Sequence, residues 1–281
     1  MNMKAVALGF ALAAMVLPAT AAMYAPGTLV PSEFVTLSTK WEPGPNVASV
    51  NGSSPTGGPM TPGSATWSIM GAGFADVSTF DPEHSPNLTV AITGLAVPTF
   101  TMASYISYFD SILDVWASVS GFDNLGMVTD GGVDAGDAEA SDGHLGDIRI
   151  GAWEITTSGV LAHAYQPGTE ALFGAGGTIA GDMHIDVART WADDPTDTTG
   201  DADFDLYTVA LHEFGHSLGL NHSSVFGSVM EPVYAGARRT LTADDIAGIQ
   251  AIYGLDSVTV PEPSVALLLM AGFGLIYRRR K

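Results

Sequence analysis

The run His212-Glu213-Phe214-Gly215-His216-Ser217-Leu218-Gly219-Leu220-Asn221-His222 constrains this chain more than any other stretch. On a helix, residues four apart share a face, so His212 and His216 would aim their imidazoles at one point. Glu213 sits at the edge of that face, where it can reach a metal-bound water without ligating. Asp205 is a suitable N-cap for a helix starting at Leu206. Leu211, Phe214 and Leu218 point away from the histidines and can anchor the helix in a core. Gly219 can then take the left-handed conformation that ends a helix, and the reversed chain brings His222 back as a third ligand. Three neutral imidazoles leave the fourth tetrahedral position to water, the arrangement of a catalytic zinc and not of a closed structural one. Incidental surface histidines do not account for the pattern. The chain has 7 histidines, and three of them fall in this register together with Glu213 and Gly219.

The rest of the composition narrows the surroundings of such a site. Thirty acidic residues face 10 Lys and Arg, a net charge of −20. Half of the bases lie in the terminal segments (Lys4, Arg278, Arg279, Arg280, Lys281), leaving Lys40, Arg149, Arg189, Arg238 and Arg239 for the middle. Such a surface repels nucleic acid and attracts cations. With no cysteine at all, disulfides, thiolate zinc sites and a cysteine nucleophile are excluded together.

Both ends read as addresses. Lys4, the apolar run Ala5 to Leu17 and the small residues Ala19-Thr20-Ala21-Ala22 have the three parts of a secretory signal, which sets a boundary near residue 22. The far end reads Val260-Pro261-Glu262-Pro263, an apolar stretch from Ser264 to Tyr277, and the basic cluster Arg278-Arg279-Arg280-Lys281. That stretch is shorter than the ~20 residues of a full membrane helix, and the basic cluster is what holds such an end in the cytoplasm. Residues 256–281 resemble the PEP-type sorting signal of Gram-negative bacteria. The resemblance implies a transient membrane anchor, an exosortase-type processing enzyme as partner, and export to the cell envelope or beyond. The folded domain is then expected over residues 23–255.

Within that domain, residues 42–64 are dense in Pro, Gly, Ser and Asn and read as a surface loop. Leu88 to Gly94 has the look of a strand. Met102, Tyr105, Ile106, Phe109, Ile112, Leu113 and Trp116 follow the helical period and predict an amphipathic helix with a buried face. Residues 129–147 form an acidic, Gly-rich loop with Asp130, Asp134, Asp137, Glu139, Asp142 and Asp147. It reads either as a solvated loop or as a calcium site, since clustered carboxylates suit a hard cation. Three apolar strands are expected at Ile148–Trp153, Val160–Tyr165 and Met183–Val187, and a second Asp-rich loop spans residues 193–205.

The histidine motif and the residues after it resemble the matrixin branch of the metzincins. Ser228-Val229-Met230 stands where metzincins place their Met-turn, with Met230 beneath the ligands. Pro232 and Tyr234 match the continuation that walls the S1′ pocket. Leu241 to Gly254 is similar to the matrixin C-terminal helix, with Thr242 and Asp245 as a capping box and Ile246, Ile249 and Tyr253 as its buried stripe. Upstream, Leu161-Ala162-His163-Ala164-Tyr165 and Gly181-Asp182-Met183-His184-Ile185-Asp186 resemble two matrixin strands. The resemblance implies an α+β fold: a twisted, mostly parallel five-stranded sheet with an antiparallel edge strand, packed on helices that include the zinc-binding one. It also implies a zinc metalloendopeptidase with His212, His216 and His222 on the metal, Glu213 as general base, and a peptide substrate paired with Leu161 and Ala162 of the edge strand.

Two departures modify that expectation. Matrixins hold a second, structural zinc with three His and one Asp. His163 and His184 match two of these, but Glu154 to Gly159, where the others would lie, contains neither. One zinc is therefore expected, and a rebuilt second site would have to combine His144 with His163 and His184. Arg189 stands where matrixins carry a glutamate ligand of calcium. His84 reads as a surface residue. Two rival functions share the same zinc residues: a zinc-containing envelope or matrix-binding module without activity, and an enzyme cutting a non-peptide amide.

Overall fold

Burial on both faces is what marks the strands of this sheet. In the computed structural model, which describes residues 20–24, 40–41, 62–77, 87–137, 146–168, 179–198 and 203–255, every position of β4 (Ile148–Trp153) and β5 (Val160–Tyr165) is buried. The same holds for β6 (Met183–Asp186) and for all but the last residue of β2 (Gly63–Ile69). Such strands show no alternation, because helices or loops cover both sides.

β3 (Phe122–Met127), β2, β4 and β6 run parallel in that order, and β5 closes the five as an antiparallel edge. That is the expected sheet. A sixth strand, β1 (Thr20–Tyr24), lies antiparallel on the outside of β5. Two short strands, β7 (Trp191–Ala192) and β8 (Phe204–Asp205), pair separately.

Three α-helices stand among the described residues: α1 (Met102–Ala117), α2 (Leu206–Ser217) and α3 (Ala243–Tyr253). α1 starts at a Thr101–Ser104 capping box and buries Tyr105, Phe109, Ile112, Leu113 and Trp116. Phe109 stands edge-on to Trp67 of β2 and to Phe214 of α2, so α1 bridges the sheet and the histidine helix. Trp116 adds a hydrogen bond from Nε1 to Leu211 O, 3.0 Å.

The structure departs from the sequence expectations at four places. Leu88 to Gly94 is not a strand: Leu88 and Val90 make single bridges, and Ile92–Leu95 is a 3₁₀ turn. Its two buried residues, Ile92 and Leu95, are three apart, which is the period of that turn. Met102 is 44% exposed and lies outside the core stripe of α1. Gly63 and Ser64 belong to buried β2, not to a loop, and residues 42–61 lie outside the described part. β2 and β3 were not expected from the sequence: β2 begins inside the Gly- and Ser-rich stretch that reads as a loop, although Ala65, Trp67 and Ile69 alternate with Ser64, Thr66 and Ser68, and in β3 Phe122-Asp123-Asn124-Leu125-Gly126-Met127 mixes polar and apolar residues.

Asp147, just before β4, is buried and accepts from Thr66 N and Thr66 Oγ1, both at 2.8 Å, through one oxygen. Its other oxygen has no partner. Burial pushes its carboxyl up to about 6, although the Thr66 bonds pull the other way. A carboxyl raised on folding lends stability that is complete below its unfolded value and is lost as pH rises through the folded one. Unfolding free energy measured with urea should therefore shift in favour of Asp147→Asn over wild type, by on the order of 2 to 3 kcal/mol, between about pH 4 and about pH 7. A difference that stays flat across that range would mean the carboxyl titrates normally.

Candidate metal centre

The local sequence builds α2 as a rigid, buried platform. Asp205 caps it: Oδ2 accepts from Thr208 N at 3.1 Å and from Thr208 Oγ1 at 2.6 Å. At the other end, Gly219 takes φ +99°, Gly219 N donates to His216 O, and Leu220 N donates to Gly215 O at 2.9 Å. These are the bonds that close a helix through a left-handed residue. Two further carbonyls of that end are satisfied from outside, Ser217 O by Trp41 Nε1 at 2.8 Å and Leu218 O by the Tyr253 hydroxyl at 2.9 Å. Leu211, Phe214 and Leu218 are fully buried, as expected.

On this platform His212, His216 and His222 converge, with ligand atoms all within 4.8 Å of one another. The Nε2 atoms of His212 and His216 are 2.9 Å apart. Their Nδ1 atoms face backbone carbonyls, Val229 O at 2.7 Å and Leu220 O at 2.8 Å. A carbonyl only accepts, so each Nδ1 carries the ring's proton. Burial drives both imidazoles well below the usual histidine range, so neither takes a second proton. Two bare Nε2 lone pairs therefore face each other at a buried position. That arrangement is repulsive until an electron-pair acceptor sits between them. The donor set fits zinc: three neutral imidazoles, the two on the helix oriented by an outer hydrogen bond.

The turn beneath the ligands is held from α3. Asp245 sits at N3 of the Thr242 capping box and also accepts from Val229 N at 3.0 Å and Met230 N at 3.2 Å, while the Ser228 hydroxyl donates to it at 2.5 Å. The same Val229 then accepts from His212, so one carboxylate fixes the turn that fixes a ligand. Met230 is buried, and its sulfur occupies the space that a Cβ on Gly215 would need. Only glycine lets the turn approach the helix this closely.

Glu213 lies beside the imidazoles, fully buried. Oε1 accepts from the backbone N–H of Met23 at 3.0 Å, and Oε2 has no partner. Burial pushes this carboxyl up to about 8, with His163 and the Met23 N–H pulling it back. Next to the site, Tyr234 accepts from Asp205 N at 2.9 Å and donates to Asp197 at 2.7 Å, tying the segment after the Met-turn to the start of α2.

The other expected sites resolve differently. His163 and His184 meet across β5 and β6 with Nε2 and Nδ1 3.1 Å apart, and Trp153 packs on His184. Among the described residues the group of three converging ligands is His212, His216 and His222, and it includes neither of these two. His144 and His84 lie outside the described residues, as do Glu139 and Asp142. Arg189 fills the place of the expected glutamate with its own charge. Its guanidinium pairs with Asp186 at 2.8 Å and donates to Val160 O at 3.1 Å. In the acidic loop, Asp130 is paired with buried Arg149 at 2.8 Å, and Asp134 accepts from Ala75 N. Sequence reasoning missed the role of Asp245 in the Met-turn, although its capping-box position was legible. It also missed Met23, which no local signal connects to Glu213.

A two-histidine helix, a third ligand returned by a glycine turn and a methionine turn beneath, all on a mixed sheet, define a metzincin-type fold. Residues 84–254 match the family model for matrixin, and the chain belongs to that family. Neutrophil collagenase of Homo sapiens is 48% identical over 103 residues, 36% of this chain and 19% of that protein. Interstitial collagenase of Bos taurus is 34% identical over 197 residues, 69% of this chain and 34% of that protein. Matrix metalloproteinase-25 of Mus musculus is 44% identical over 103 residues, 35% of this chain and 15% of that protein. The matches thus span between about a seventh and a third of the length of these curated relatives.

Two outcomes test this geometry. His222→Ala should lose the metal: elemental analysis should find one zinc per wild-type chain and almost none in the variant, with circular dichroism unchanged. Full occupancy in the variant would exclude a three-histidine site. Gly215→Ala, although alanine favours helices, should lower stability by about 1 to 3 kcal/mol through overpacking against Met230. A neutral or stabilising effect in thermal unfolding would show that the turn can move away.

Proposed function

We propose that this chain is a zinc-dependent endopeptidase that hydrolyses internal peptide bonds. The observation that carries it is the placement of Glu213: a buried carboxylate beside, not among, three converging imidazoles, with one oxygen unpartnered. Zinc, when bound, supplies a water of lowered pKa and polarises the scissile carbonyl. Glu213 takes the proton from the attacking water and hands it to the departing nitrogen. His212 and His216 stay neutral because they are buried and their Nδ1 protons are committed to carbonyls. A substrate peptide lies extended and antiparallel along β5, exchanging main-chain hydrogen bonds with Leu161 and Ala162. The space between α2 and residues 232–240, walled by Pro232 and Tyr234, takes the side chain after the cleaved bond, with apolar side chains preferred.

Peptides are favoured over other amides because β5 offers a strand edge. The acidic surface argues against nucleic acid. We also propose that the chain is exported and works at the envelope of a Gram-negative cell or outside it. The apolar run Ala5 to Leu17 and the Pro261-Glu262-Pro263 segment with its basic tail support this, with an exosortase-type enzyme as processing partner and Ser264 to Tyr277 as a transient anchor. Among the described residues no helix is long and apolar enough to cross a membrane, and both of these segments lie outside them.

Casein hydrolysis by the purified chain, beside Glu213→Ala, is the direct test. The variant should keep its zinc and its fold while turnover falls by a factor of about 100 to 10,000 or more. Near-normal activity in the variant would remove Glu213 from the mechanism. Absence of hydrolysis in wild type loaded with zinc would remove the enzyme.

A further inference from the structure

The sheet does not hold its edge strand along the whole length. Pairing between β5 and β6 runs Ala164↔Met183, His163↔His184 and Ala162↔Ile185, and there it ends. Val160 and Leu161, the first residues of β5, lie beyond the last pair. Yet Leu161 is one of the residues proposed to exchange main-chain hydrogen bonds with a substrate, so its N–H needs a fixed direction. Just past β6, Asp186 and Arg189 form a brace that reaches this free end. Buried Asp186 accepts through Oδ1 from Ile155 N at 3.2 Å and from Ala188 N at 2.9 Å. Its Oδ2 accepts from Arg189 Nε at 2.8 Å, and the same guanidinium donates from Nη2 to Val160 O at 3.1 Å.

Two backbone N–H groups pin the Asp186 carboxylate, and the carboxylate in turn sets the plane of the guanidinium, whose donors form a rigid fork. The carbonyl at the other arm of that fork belongs to the Val160–Leu161 peptide. A trans peptide is planar, and its C=O and N–H point in opposite directions. Arg189 reaches Val160 O from the β6 side, so the Leu161 N–H is turned toward the outer edge of the sheet. We propose that Arg189 is a positioning residue for substrate: by holding Val160 O it aims the Leu161 N–H at one main-chain carbonyl of the bound peptide. Ile155, which donates to the same carboxylate, packs on Val160, so both ends of the turn between β4 and β5 are tied to Asp186. The inference rests on the endopeptidase reading and adds to it the residue that orients the edge strand. A main-chain contact outside the reacting bond is made alike in the ground state and the transition state. Its loss therefore raises KM and leaves kcat nearly as it was.

The test pairs enzyme variants with altered substrates. Peptides of one sequence, cut at one bond, would each have a single other peptide unit replaced by a trans-alkene, which keeps the shape and removes the carbonyl. In zinc-loaded wild type, one replacement should raise KM by a factor of about 2 to 10, the worth of one main-chain hydrogen bond. In zinc-loaded Arg189→Gln, KM for the unaltered peptide should rise by a similar factor with kcat within about twofold of wild type. That one replacement should then cost nothing further, while every other replacement keeps its cost. Arg189→Lys keeps a charge for Asp186 but has no planar fork to serve both oxygens, so it should behave like Arg189→Gln, and it carries the test where the first variant does not fold. A purely structural role would slow all peptides alike and leave each replacement as costly as in wild type; that pattern in both variants would overturn the positioning role and leave the endopeptidase standing. Wild type with no costly carbonyl would overturn the main-chain contact itself. Wild type that cuts neither casein nor any peptide would overturn both readings.

Discussion

The structure turns on two hydrogen bonds, from the Nδ1 atoms of His212 and His216 to the carbonyls of Val229 and Leu220. They fix the tautomer of both rings and so leave two lone pairs aimed at one point in a buried site. Most of the surrounding fold serves to hold those carbonyls still. Leu220 O is placed by the glycine turn that ends α2. Val229 O is placed by a turn whose N–H groups are gathered by Asp245 at the head of α3. The C-terminal helix is far from the histidines in sequence, yet its capping residue orients one of them.

A second constraint is the shortage of positive charge. All four arginines in the described middle are bound to carboxylates: Arg149 to Asp130, Arg189 to Asp186, Arg238 to Glu231, and Arg239 to Asp193 and Asp205. Arg149 and Arg239 join residues distant in sequence, whereas the Arg189 pair spans only three positions. The Arg189 guanidinium nonetheless gathers the Asp186 carboxylate and the Val160 carbonyl at the start of the edge strand. Arg239 pairs with the buried N-cap of α2, Asp205, which also accepts from Asp194 N at 3.1 Å.

The outer edge of β5 is the proposed working surface, and in this structure β1 lies on it. A free strand edge pairs with whatever extended chain comes near. β5 is held on one side by β6 and buried at every residue, so its outer backbone groups are its available chemistry. The antiparallel seat of β1 on those groups shows how readily an extended segment is accepted there, and Glu213 lies within hydrogen-bond reach of it.

Much of this was legible in the residues themselves. The helix from Leu206, its Asp205 cap, the glycine that ends it and the three ligands follow from spacing alone, because a helix fixes which side chains share a face. The α3 capping box and the three strands β4, β5 and β6 were likewise local. β2 was hidden because its first residues, Gly63 and Ser64, belong to a Gly- and Ser-rich stretch that reads as a loop, although Ala65, Trp67 and Ile69 alternate with Ser64, Thr66 and Ser68. Period three at Ile92 and Leu95 turned an expected strand into a turn. What no local pattern could supply was the meeting of distant groups: Asp245 with Val229, Arg189 with Val160, and Met23 with Glu213. Spacing along the chain determines geometry only within one element, where the backbone period sets the distances. Between elements the distances are set by how the sheet orders its strands and how the core packs, so those contacts were decided by the tertiary structure alone.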